Sequence, residues 1–303
     1  MKVPLIDVSG PRAETAAAID DACRNVGFFG VVGHGVDDSV LDALFARTYE
    51  FFDLPTTQKE RCRVAIEGVQ RGYVHVGGEA QAHAHGEATL PDVSETFAIG
   101  REPDTNVWPD APEGFRSAWD EAWSVLDHLA ARVVSLCATA LGLDDDYFAD
   151  KVDRSPGTMR ANHYPAVEVD PGDGRLRGGA HTDYGSITLL RTDGVPGLQV
   201  RDDAGEWHLV PPVPDGFVVN VGDLLARWTN DRWRSTWHRV VPVAPPPWPR
   251  RLSVAFFQTP NPDVVVECLP TCVAAGDEPR YSPVTSGAFF DAKIRSIYVG
   301  GNP

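Results

Sequence analysis

Five polar side chains in the C-terminal half of the chain have the types and the order needed to hold a metal ion and an anion. His181 and Asp183 are one residue apart, and His238 follows much later. Two imidazoles and one carboxylate on one side of a metal leave its other positions open, which is the facial arrangement of non-haem Fe(II) sites. Arg251 and Ser253 come next, and a buried arginine is an always-charged partner for a dicarboxylic co-substrate. The pattern therefore indicates an iron site beside a carboxylate anchor.

The metal half of this pattern depends on two strands that are neighbours in space. If residues 180–183 form a strand, alternation puts His181 and Asp183 on one face, where they can converge on one ion. His238 begins an apolar run that can form the second strand. Taken alone, however, an H-x-D pair is most often a coincidence, and His238 by itself is more readily explained as a capped residue at the end of a strand.

The anchor half depends on a third strand, residues 251–257. Alternation puts Arg251, Ser253 and Phe257 on one face of this strand. A charged residue in such an apolar strand is costly to bury unless an anion meets it. The alternative is an exposed basic edge, since Arg250 and Arg251 follow a proline-rich turn. For Phe257, lining a substrate pocket and packing in the core are equally compatible with the pattern.

Residues 159–165 place three further polar side chains on one face of a strand. By alternation these are Arg160, Asn162 and Tyr164. Arg160 could therefore bind a carboxylate of a substrate, although a structural salt bridge is the more common role of such a residue. His163 lies between Asn162 and Tyr164 and is expected to point away from the metal.

The elements that must position these residues are of two kinds. Residues 13–26, 39–52 and 113–141 have apolar side chains at three- and four-residue spacings, which is typical of amphipathic helices. Residues 68–105 are rich in glycine, histidine, alanine and glutamate and show little periodicity. We interpret this stretch as a long loop or flap, which in an enzyme often serves as an active-site lid.

After about residue 158 the chain changes to short β-runs separated by glycine, proline and aspartate. The runs are residues 158–164, 186–191, 197–201, 216–221, 238–243 and 252–259. Many short strands without interleaved helices favour a sandwich or jelly roll over a parallel sheet. One more helix is predicted over residues 286–298. The sequence therefore predicts a mainly β protein with flanking helices.

Composition and charge limit the compartment and the partners. The chain has 303 residues, 43% of them hydrophobic, which suits one large domain or two closely packed ones. Its net charge of −16 argues against nucleic acid or an anionic membrane as a partner. The N-terminus is unlike a signal peptide and no apolar run approaches ~18 residues, so we expect a cytoplasmic protein. Cys268 and Cys272 are expected to be free thiols, because no second pair accompanies them.

Taken together and in order, these segments resemble those of 2-oxoglutarate- and Fe(II)-dependent dioxygenases of the isopenicillin N synthase-like superfamily. The resemblance covers nearly the whole chain. In the N-terminal part it rests on residues 3–7 (VPLID), 25–29 (NVGFF), 33–36 (GHGV), 51–55 (FFDLP), 71–73 (RGY), 92–97 (DVSETF) and 106–109 (NVWP). In the C-terminal part it rests on residues 181–185 (HTDYG), 198–200 (LQV), 220–223 (NVGD), 227–230 (RWTN), 238–240 (HRV) and 251–253 (RLS).

The resemblance implies an iron centre and a reaction. His181, Asp183 and His238 would be the metal ligands and the catalytic centre. 2-Oxoglutarate would chelate Fe(II), O2 would take the open position, and decarboxylation would give succinate, CO2 and an Fe(IV)-oxo species that abstracts a substrate hydrogen. The expected activity is hydroxylation or desaturation of a small molecule. By analogy within the family this molecule is a natural-product intermediate or an amino-acid derivative.

The resemblance also implies a co-substrate site and a fold. Arg251, Ser253 and Tyr164 would hold the distal carboxylate of 2-oxoglutarate, with Asn162 close to it. The fold would be a double-stranded β-helix, a distorted jelly roll, with a helical N-terminal region. The corresponding divisions are residues 1–110 (N-terminal region), 111–155 (long supporting helix), 156–270 (jelly-roll domain) and 271–303 (C-terminal helical segment).

Some features do not follow the family pattern or have no assigned role. Trp237 stands where relatives more often have proline, so its ring could reshape the wall near iron or face the core. Residues 289–298 could line the substrate pocket or pack in the core. Four loop residues look like a second metal cluster, although no helix or strand spacing supports one: His75, His83, His85 and Glu87.

Three other functions stay open on the sequence alone. An isopenicillin N synthase-like oxidase or cyclase, or an ethylene-forming-type enzyme, would keep the same iron site. An inactive relative that only binds a small ligand has no need for an open metal position. A zinc hydrolase is compatible with His/Asp/His ligation, but it leaves Arg251 and Ser253 unexplained.

Overall fold

The computed structural model describes residues 1–63, 71–79, 90–169 and 176–299. Within these residues the helices are Arg12–Asn25 (α1), Asp38–Phe52 (α2), Thr56–Lys59 (α3), Phe115–Ala140 (α4), Ala149–Val152 (α5), Asp223–Trp228 (α6) and Ser286–Val299 (α7). Asp37 caps α2 by accepting a hydrogen bond from the backbone N–H of Ser39 at 2.9 Å. Gly142 follows α4 with φ of 73°, a left-handed conformation that ends helices and favours glycine.

The larger of two facing sheets has eight strands among the described residues. In order across the sheet they are β1 (Leu5–Asp7), β2 (Phe28–Val32), β10 (Phe217–Val221), β7 (Ile187–Thr192), β12 (Arg251–Gln258), β5 (Thr158–Tyr164), β4 (Glu95–Ile99) and β3 (Gly72–Val74). Strands β1 and β2 are parallel, and the other neighbours are antiparallel. Strands that are distant in sequence thus lie side by side.

The smaller sheet faces this one and carries the two histidines of the predicted metal site. Its order is β6 (Gly178–His181), β11 (His238–Val240), β8 (Leu198–Arg201) and β9 (Trp207–Leu209), and all its pairs are antiparallel. A short hairpin joins β13 (Val265–Val266) and β14 (Val284–Thr285). Two facing antiparallel sheets agree with the jelly roll that the sequence predicts.

Apolar side chains cover both faces of the larger sheet. On one face Leu189, Val219 and Phe256 belong to the main core, which also contains Trp119 and Val133 of α4. A second apolar cluster lies on the other face, between the two sheets, and consists of Val26, Phe28, Leu198, Val200, Val210 and Val218. Full burial of each such side chain stabilises the fold by about 1.5–3 kcal/mol. The space between the sheets is therefore closed by apolar contacts along one side.

The N-terminal third combines helices with strands, and one expectation about it needs correction. The helical N-terminal region that the resemblance implies contains α1, α2 and α3, and it also contributes β1, β2, β3 and β4 to the larger sheet. The stretch 68–105 is not one long loop, since β3 and β4 lie within it. Strands β3 and β4 are short, and every residue of β4 is buried. Neither β3 nor β4 therefore shows the alternation of a half-exposed strand. Strands from residues 1–110 and from residues 156–270 share one sheet.

Two further features bear on the expectations from composition. The cysteines of the chain are unpaired: Cys23, Cys62, Cys137, Cys268 and Cys272. Among the described residues, each helix is too short or too polar to cross a lipid bilayer.

Candidate active site

The three predicted metal ligands converge at one end of the smaller sheet. His181 ends β6, His238 begins β11, and the two are directly paired across the strands. The Nε2 atoms of His181 and His238 lie 3.8 Å and 3.7 Å from Oδ1 of Asp183. One ligand atom from each residue lies within 4.8 Å of the other two. The three side chains therefore present two nitrogens and one oxygen to a common point.

Hydrogen bonds to the backbone set which nitrogen of each histidine faces that point. Nδ1 of His181 lies 2.8 Å from the carbonyl oxygen of Gly179. Nδ1 of His238 lies 3.1 Å from the carbonyl oxygen of Thr236. In both rings Nδ1–H donates and Nε2 keeps its lone pair for a metal. The ring of Phe28 packs edge-on against His238 at 5.4 Å and limits its rotation.

Asp183 is oriented by side chains of the larger sheet. Its Oδ2 accepts a hydrogen bond from Oγ1 of Thr188 at 2.5 Å and one from Nδ2 of Asn220 at 2.7 Å. Its carbonyl oxygen accepts the backbone N–H of Asp223 at 2.7 Å. Oδ2 is thus committed to the protein, and Oδ1 faces the histidines.

This arrangement corrects one step of the sequence argument. Strand β6 ends at His181, so Asp183 lies beyond it and strand alternation does not aim its side chain. The hydrogen bonds of Asp183 with Thr188, Asn220 and Asp223 orient it in place of the hydrogen bonds of a β-strand. The convergence that alternation predicts is present, but tertiary contacts produce it.

The local charges favour an ionised carboxylate and fit an iron ion. Burial alone raises the pKa of Asp183, but the electrostatic effect of the neighbouring His238 and His181 and hydrogen bonds from Asn220 and Thr188 outweigh it and lower the pKa below its ordinary value. Two imidazole nitrogens and one carboxylate oxygen form the ligand set of the non-haem Fe(II) facial triad. By donor chemistry, the residues present fit Fe(II).

Arg251 lies deep in the same space and has no acidic partner among the described residues. It is 1% exposed. Its Nε donates to the carbonyl oxygen of Val195 at 3.0 Å, and its Nη1 donates to Oγ of Ser253 at 3.1 Å. Its guanidinium lies 5.0 Å from the ring of Tyr164. No carboxylate in the described part of the chain forms an ion pair with Arg251. The guanidinium is therefore a buried positive charge that an anionic ligand would neutralise.

The register of three strands connects the metal end to this arginine. Phe257 of β12 is paired with Thr188 of β7, whose hydroxyl binds Asp183. Further along β12, three residues on the same face are paired with residues of β5: Ala255 with Arg160, Ser253 with Asn162 and Arg251 with Tyr164. Directly paired residues of antiparallel strands point to the same side. The predicted site residues of β5 and β12 therefore share the metal-facing side of the larger sheet.

Arg160 has a partner that the sequence did not indicate. It is 6% exposed, and its Nε donates to Oδ1 of Asn162 at 3.0 Å. Its Nη2 forms an ion pair with Glu79, which follows β3. The residues paired with Arg160 on its two sides are Ala98 and Ala255, which both have small side chains. The expected salt bridge is therefore present, and it lies on the metal-facing side.

His163 faces the other way, as alternation predicts. Its Nδ1 lies 2.9 Å from Oε1 of Glu95, and its ring stacks on Phe52 at 4.9 Å. The side chain belongs to the packing behind the site. Of the loop residues considered as a second metal cluster, His75 lies 3.7 Å from a carboxylate oxygen of Glu60. The other three, at positions 83, 85 and 87, lie outside the described residues.

A cavity of about 690 Å³ borders the metal end. Its lining includes Thr236, which orients His238, and also Trp237 and Phe289. Lys293 of α7 reaches this cavity and pairs with Asp223 at 2.8 Å. Trp237 and Phe289 thus line a pocket. Side chains from residue 294 onwards lie outside the described part of α7.

A second group of metal-type side chains has a structural explanation. Asp202, Glu206 and His208 lie close together in and after the turn between β8 and β9. Oδ1 of Asp202 accepts the backbone N–H of Ala204 and of Glu206, each at 2.9 Å, and its Oδ2 lies 2.6 Å from Nε2 of His208. These are the bonds of an aspartate-stabilised hairpin turn.

Thr188, Asn220 and Glu79 were not recognised from the sequence as functional. Thr188 and Asn220 lie in strands and act only through Asp183. The motif at residues 220–223 was noted without a role for its asparagine. A buried asparagine in an apolar strand is a signal that could have found it, because such a group needs a partner.

Comparison with known proteins gives matches over most of the chain. Residues 3–122 match a family model described as the N-terminal region of non-haem dioxygenases in morphine synthesis. Residues 156–260 match the model of the 2OG-Fe(II) oxygenase superfamily. The second match contains both histidines, Asp183, Arg251 and Ser253.

Individual relatives align over nearly their full lengths. The chain is 36% identical over 298 residues to the proline hydroxylase buaE of Petromyces alliaceus, covering 91% of each chain. It is 33% identical over 323 residues to the homoarginine-6-hydroxylase 2-ODD-233 of Oryza sativa subsp. japonica, covering 98% of each. The crystal structure of a full-length Neurospora crassa protein in complex with alpha-KG and thymine superimposes with a TM-score of 0.90 at 34% identity, covering 98% of this chain and 97% of that one.

Proposed function

The chain belongs to the 2OG-Fe(II) oxygenase superfamily, and on that premise we propose that its substrate is a small zwitterionic molecule, an amino-acid derivative, which it hydroxylates or desaturates. Bound Fe(II) and 2-oxoglutarate supply the oxidising chemistry, which consumes O2 and releases succinate and CO2. The protein supplies the binding, the orientation and the exclusion of water.

The metal and co-substrate roles are assigned to residues as follows. We propose that His181, Asp183 and His238 hold iron through Nε2, Oδ1 and Nε2, since their other polar atoms are occupied by the protein. We propose that the distal carboxylate of 2-oxoglutarate pairs with Arg251. Ser253 and Tyr164 complete this end, and Asn162 lies one step nearer the metal along β5. The unpaired buried charge of Arg251 supports this assignment.

The observation that carries the substrate class is the ion pair of Arg160 and Glu79. Both charges lie on the metal-facing side, and the residues paired with Arg160 across the strands, Ala98 and Ala255, have small side chains. Nη1 of Arg160 has no hydrogen-bond partner among the described residues. A zwitterion can bind such a pair with its carboxylate on the guanidinium and its ammonium on Glu79. The relatives named as proline and homoarginine hydroxylases act on amino acids, which supports this choice.

Turnover with a defined panel tests the substrate class. Succinate formation is measured with Fe(II), 2-oxoglutarate and O2 in the presence of free amino acids, their esters and the corresponding amines. We expect stimulation by one or more zwitterions and none by the matched ester or amine. Equal stimulation by the matched ester or amine, which lack the carboxylate, would refute the proposal.

Substitution of Arg160 tests the role of the ion pair. Arg160→Gln should raise KM for the stimulating substrate about tenfold or more, because a charge-assisted hydrogen bond is lost. The control is Arg101→Gln, since Arg101 also forms an ion pair with an acidic side chain, that of Asp127 at 2.7 Å, and lies away from the site. An unchanged KM in Arg160→Gln would remove Arg160 from substrate binding.

Substitution of Arg251 tests the co-substrate assignment. Anaerobic Fe(II)-loaded protein is titrated with 2-oxoglutarate, and the weak visible charge-transfer band of the chelate is followed. We expect a saturable band in the natural protein and a dissociation constant at least about tenfold higher in Arg251→Met. A band with unchanged affinity in the variant would mean that the distal carboxylate binds elsewhere.

A further inference from the structure

A second buried arginine, Arg177, lies at the same end of the jelly roll as Arg251. Arg177 precedes β6 and is 2% exposed. Its backbone N–H donates to the carbonyl oxygen of Val240 in β11 at 3.1 Å. Its side chain reaches across to the larger sheet. It therefore bridges the two sheets at the end opposite the metal.

The side chain of Arg177 ends on the residues that flank the co-substrate anchor. Its Nη2 donates to the carbonyl oxygen of Pro249 at 2.6 Å and to that of Pro165 at 3.4 Å. Pro249 lies two residues before Arg251, and Pro165 follows Tyr164, which is the cross-strand partner of Arg251. The guanidinium of Arg177 is thus placed at the paired ends of β5 and β12.

Arg177 carries a buried charge that its neighbours do not neutralise. No carboxylate of the described residues forms an ion pair with it, and its Nε is buried without a hydrogen-bond partner. Its other contact is the ring of Trp248, 5.9 Å from the guanidinium carbon. Backbone carbonyls and a ring face solvate a cation only partly. Burial of this kind is stable when a negative charge is supplied nearby.

The described charged groups at the Arg251 end of the jelly roll sum to one excess positive charge. Burial lowers the pKa of Arg177, and the charge of Arg251 lowers it further, whereas the nearby Tyr164 and the carboxylate of Asp193 raise it. Among the described residues, Asp193 places a carboxylate at this end, where it accepts the backbone N–H of Leu252 at 2.7 Å and the hydroxyl of Tyr49 at 2.5 Å. The two guanidinium groups of Arg177 and Arg251 exceed the carboxylate of Asp193 by one charge. A ligand with one negative charge at its distal end would neutralise this excess.

We propose that Arg177 is a second cationic determinant of the co-substrate site and selects a dicarboxylic 2-oxo acid over a monocarboxylic one. The inference rests on the proposed anchoring of 2-oxoglutarate by Arg251. Arg177 acts as a positioning residue, because it holds the carbonyls beside Arg251 and Tyr164. It also acts through its charge, since the mutual repulsion of the two guanidiniums is offset when the distal carboxylate arrives.

Binding measurements without turnover test this inference. Protein loaded with Mn(II) or Zn(II) under anaerobic conditions is titrated calorimetrically with 2-oxoglutarate and with 2-oxopentanoate, which lacks the distal carboxylate. Arg177→Met should weaken 2-oxoglutarate about tenfold and 2-oxopentanoate less than about twofold. Arg177→Lys keeps the charge and should recover most of the selectivity.

The matched control is Arg191→Met. Arg191 also donates to a backbone carbonyl, that of Gly216 at 2.8 Å, and also lies 5.9 Å from a ring, that of Phe217. It lies on the opposite face of β7 from Thr192, the partner of Ser253, so this substitution should leave the selectivity unchanged.

The outcomes separate this inference from the proposed function. If Arg251→Met does not weaken 2-oxoglutarate binding, the proposed anchor itself fails. If Arg251→Met weakens binding but Arg177→Met retains the natural selectivity, only the role of Arg177 fails. If Arg177→Lys is as defective as Arg177→Met, the charge is not the determinant and the inference is overturned.

Discussion

At the scale of single residues, the two oxygens of Asp183 have different partners. Oδ2 accepts hydrogen bonds from Thr188 and Asn220, and Oδ1 lies within 3.8 Å of both histidine Nε2 atoms. A carboxylate held at one oxygen cannot rotate to chelate an ion with both. On the proposed assignment the protein would present one oxygen only, which would leave more coordination positions for the co-substrate and O2.

Removal of the hydroxyl of Thr188 tests this orientation. Thr188→Val keeps the shape of the side chain but removes the donor to Oδ2. Partners of metal ligands typically contribute about 10–100-fold to metal affinity, so we expect Mn(II) affinity to fall by at least about tenfold. Mn(II) binding is measured by electron paramagnetic resonance of the free ion.

The control for this measurement is an equally buried threonine remote from the metal. Thr15 lies on α1 and, like Thr188, is 4% exposed. Thr15→Val should leave the affinity for Mn(II) unchanged. Natural affinity in Thr188→Val would mean that Asn220 alone orients Asp183.

At the scale of elements, a buried carboxylate on β4 ties four segments together behind the site. Glu95 accepts hydrogen bonds from Lys59 of α3 and Tyr73 of β3, each at 2.6 Å, and lies 2.9 Å from Nδ1 of His163 in β5. Since His163 lies between Asn162 and Tyr164, this network fixes β5 from the rear. The edge strands β3 and β4 thereby support the co-substrate side of the sheet.

Loss of the charge on Glu95 is expected to destabilise the fold strongly. Glu95→Gln leaves the ammonium of Lys59 buried without a counter-ion, which typically costs about 3–5 kcal/mol. The free energy of unfolding is measured by urea denaturation at pH 7. Glu50→Gln is the control, because Glu50 forms an exposed pair with Arg47 at 2.5 Å, and it should change the stability by less than about 1 kcal/mol.

The same network predicts a dependence of stability on pH. Burial alone raises the pKa of Glu95, but hydrogen bonds from His163, Lys59 and Tyr73 outweigh it, so the folded pKa is lowered. A group with a lowered folded pKa stabilises the protein above its unfolded pKa of about 4.3 and loses this contribution as the pH falls through the folded value. The difference in unfolding free energy between the natural protein and Glu95→Gln should therefore shrink below about pH 4. A constant difference down to pH 3 would contradict this.

Elements with strong periodicity could be predicted from sequence, and others could not. Strand β5 has the predicted bounds, and α1, α2 and α4 begin and end within two residues of the predicted helices. Strands β1 to β4 and helix α6 were missed, because three to six residues carry too little pattern to reveal a period. In the site, residue type and order indicated the triad and Arg251. The roles of Glu79 and Arg177 could not be predicted, since each exists only through contacts between distant segments.

At the scale of the whole molecule, the chain has a large negative net charge, whereas its candidate site contains buried arginines without acidic partners among the described residues. The net charge is −16, whereas Arg251 and Arg177 are buried without carboxylate partners among the described residues. The excess negative charge therefore lies elsewhere on the molecule. Mutual repulsion of these charges lowers the stability of the compact state. The expectation that neither nucleic acid nor membrane is a partner stays a prediction, as does the cytoplasmic location.

This surplus charge predicts that salt stabilises the protein. Raising NaCl from about 20 mM to about 300 mM shortens the screening length severalfold, so Tm at pH 8 should rise by a few degrees. Tm is measured by differential scanning fluorimetry. The control is the same series near pH 5, close to the isoelectric point of about 4.9, where the effect should vanish. A fall of Tm with salt at pH 8 would mean that favourable ion pairs outweigh the repulsion.

The pairing of His181 with His238 across β6 and β11 has a consequence for biosynthesis. A nascent chain exposes His181 and Asp183 long before His238 has been synthesised. The smaller sheet that brings the histidines together cannot form until β11 has left the ribosome. On the proposed assignment, iron is therefore bound only after synthesis has passed residue 238 and the smaller sheet has folded. Ribosome-bound chains that end before residue 238 are accordingly expected to retain no iron.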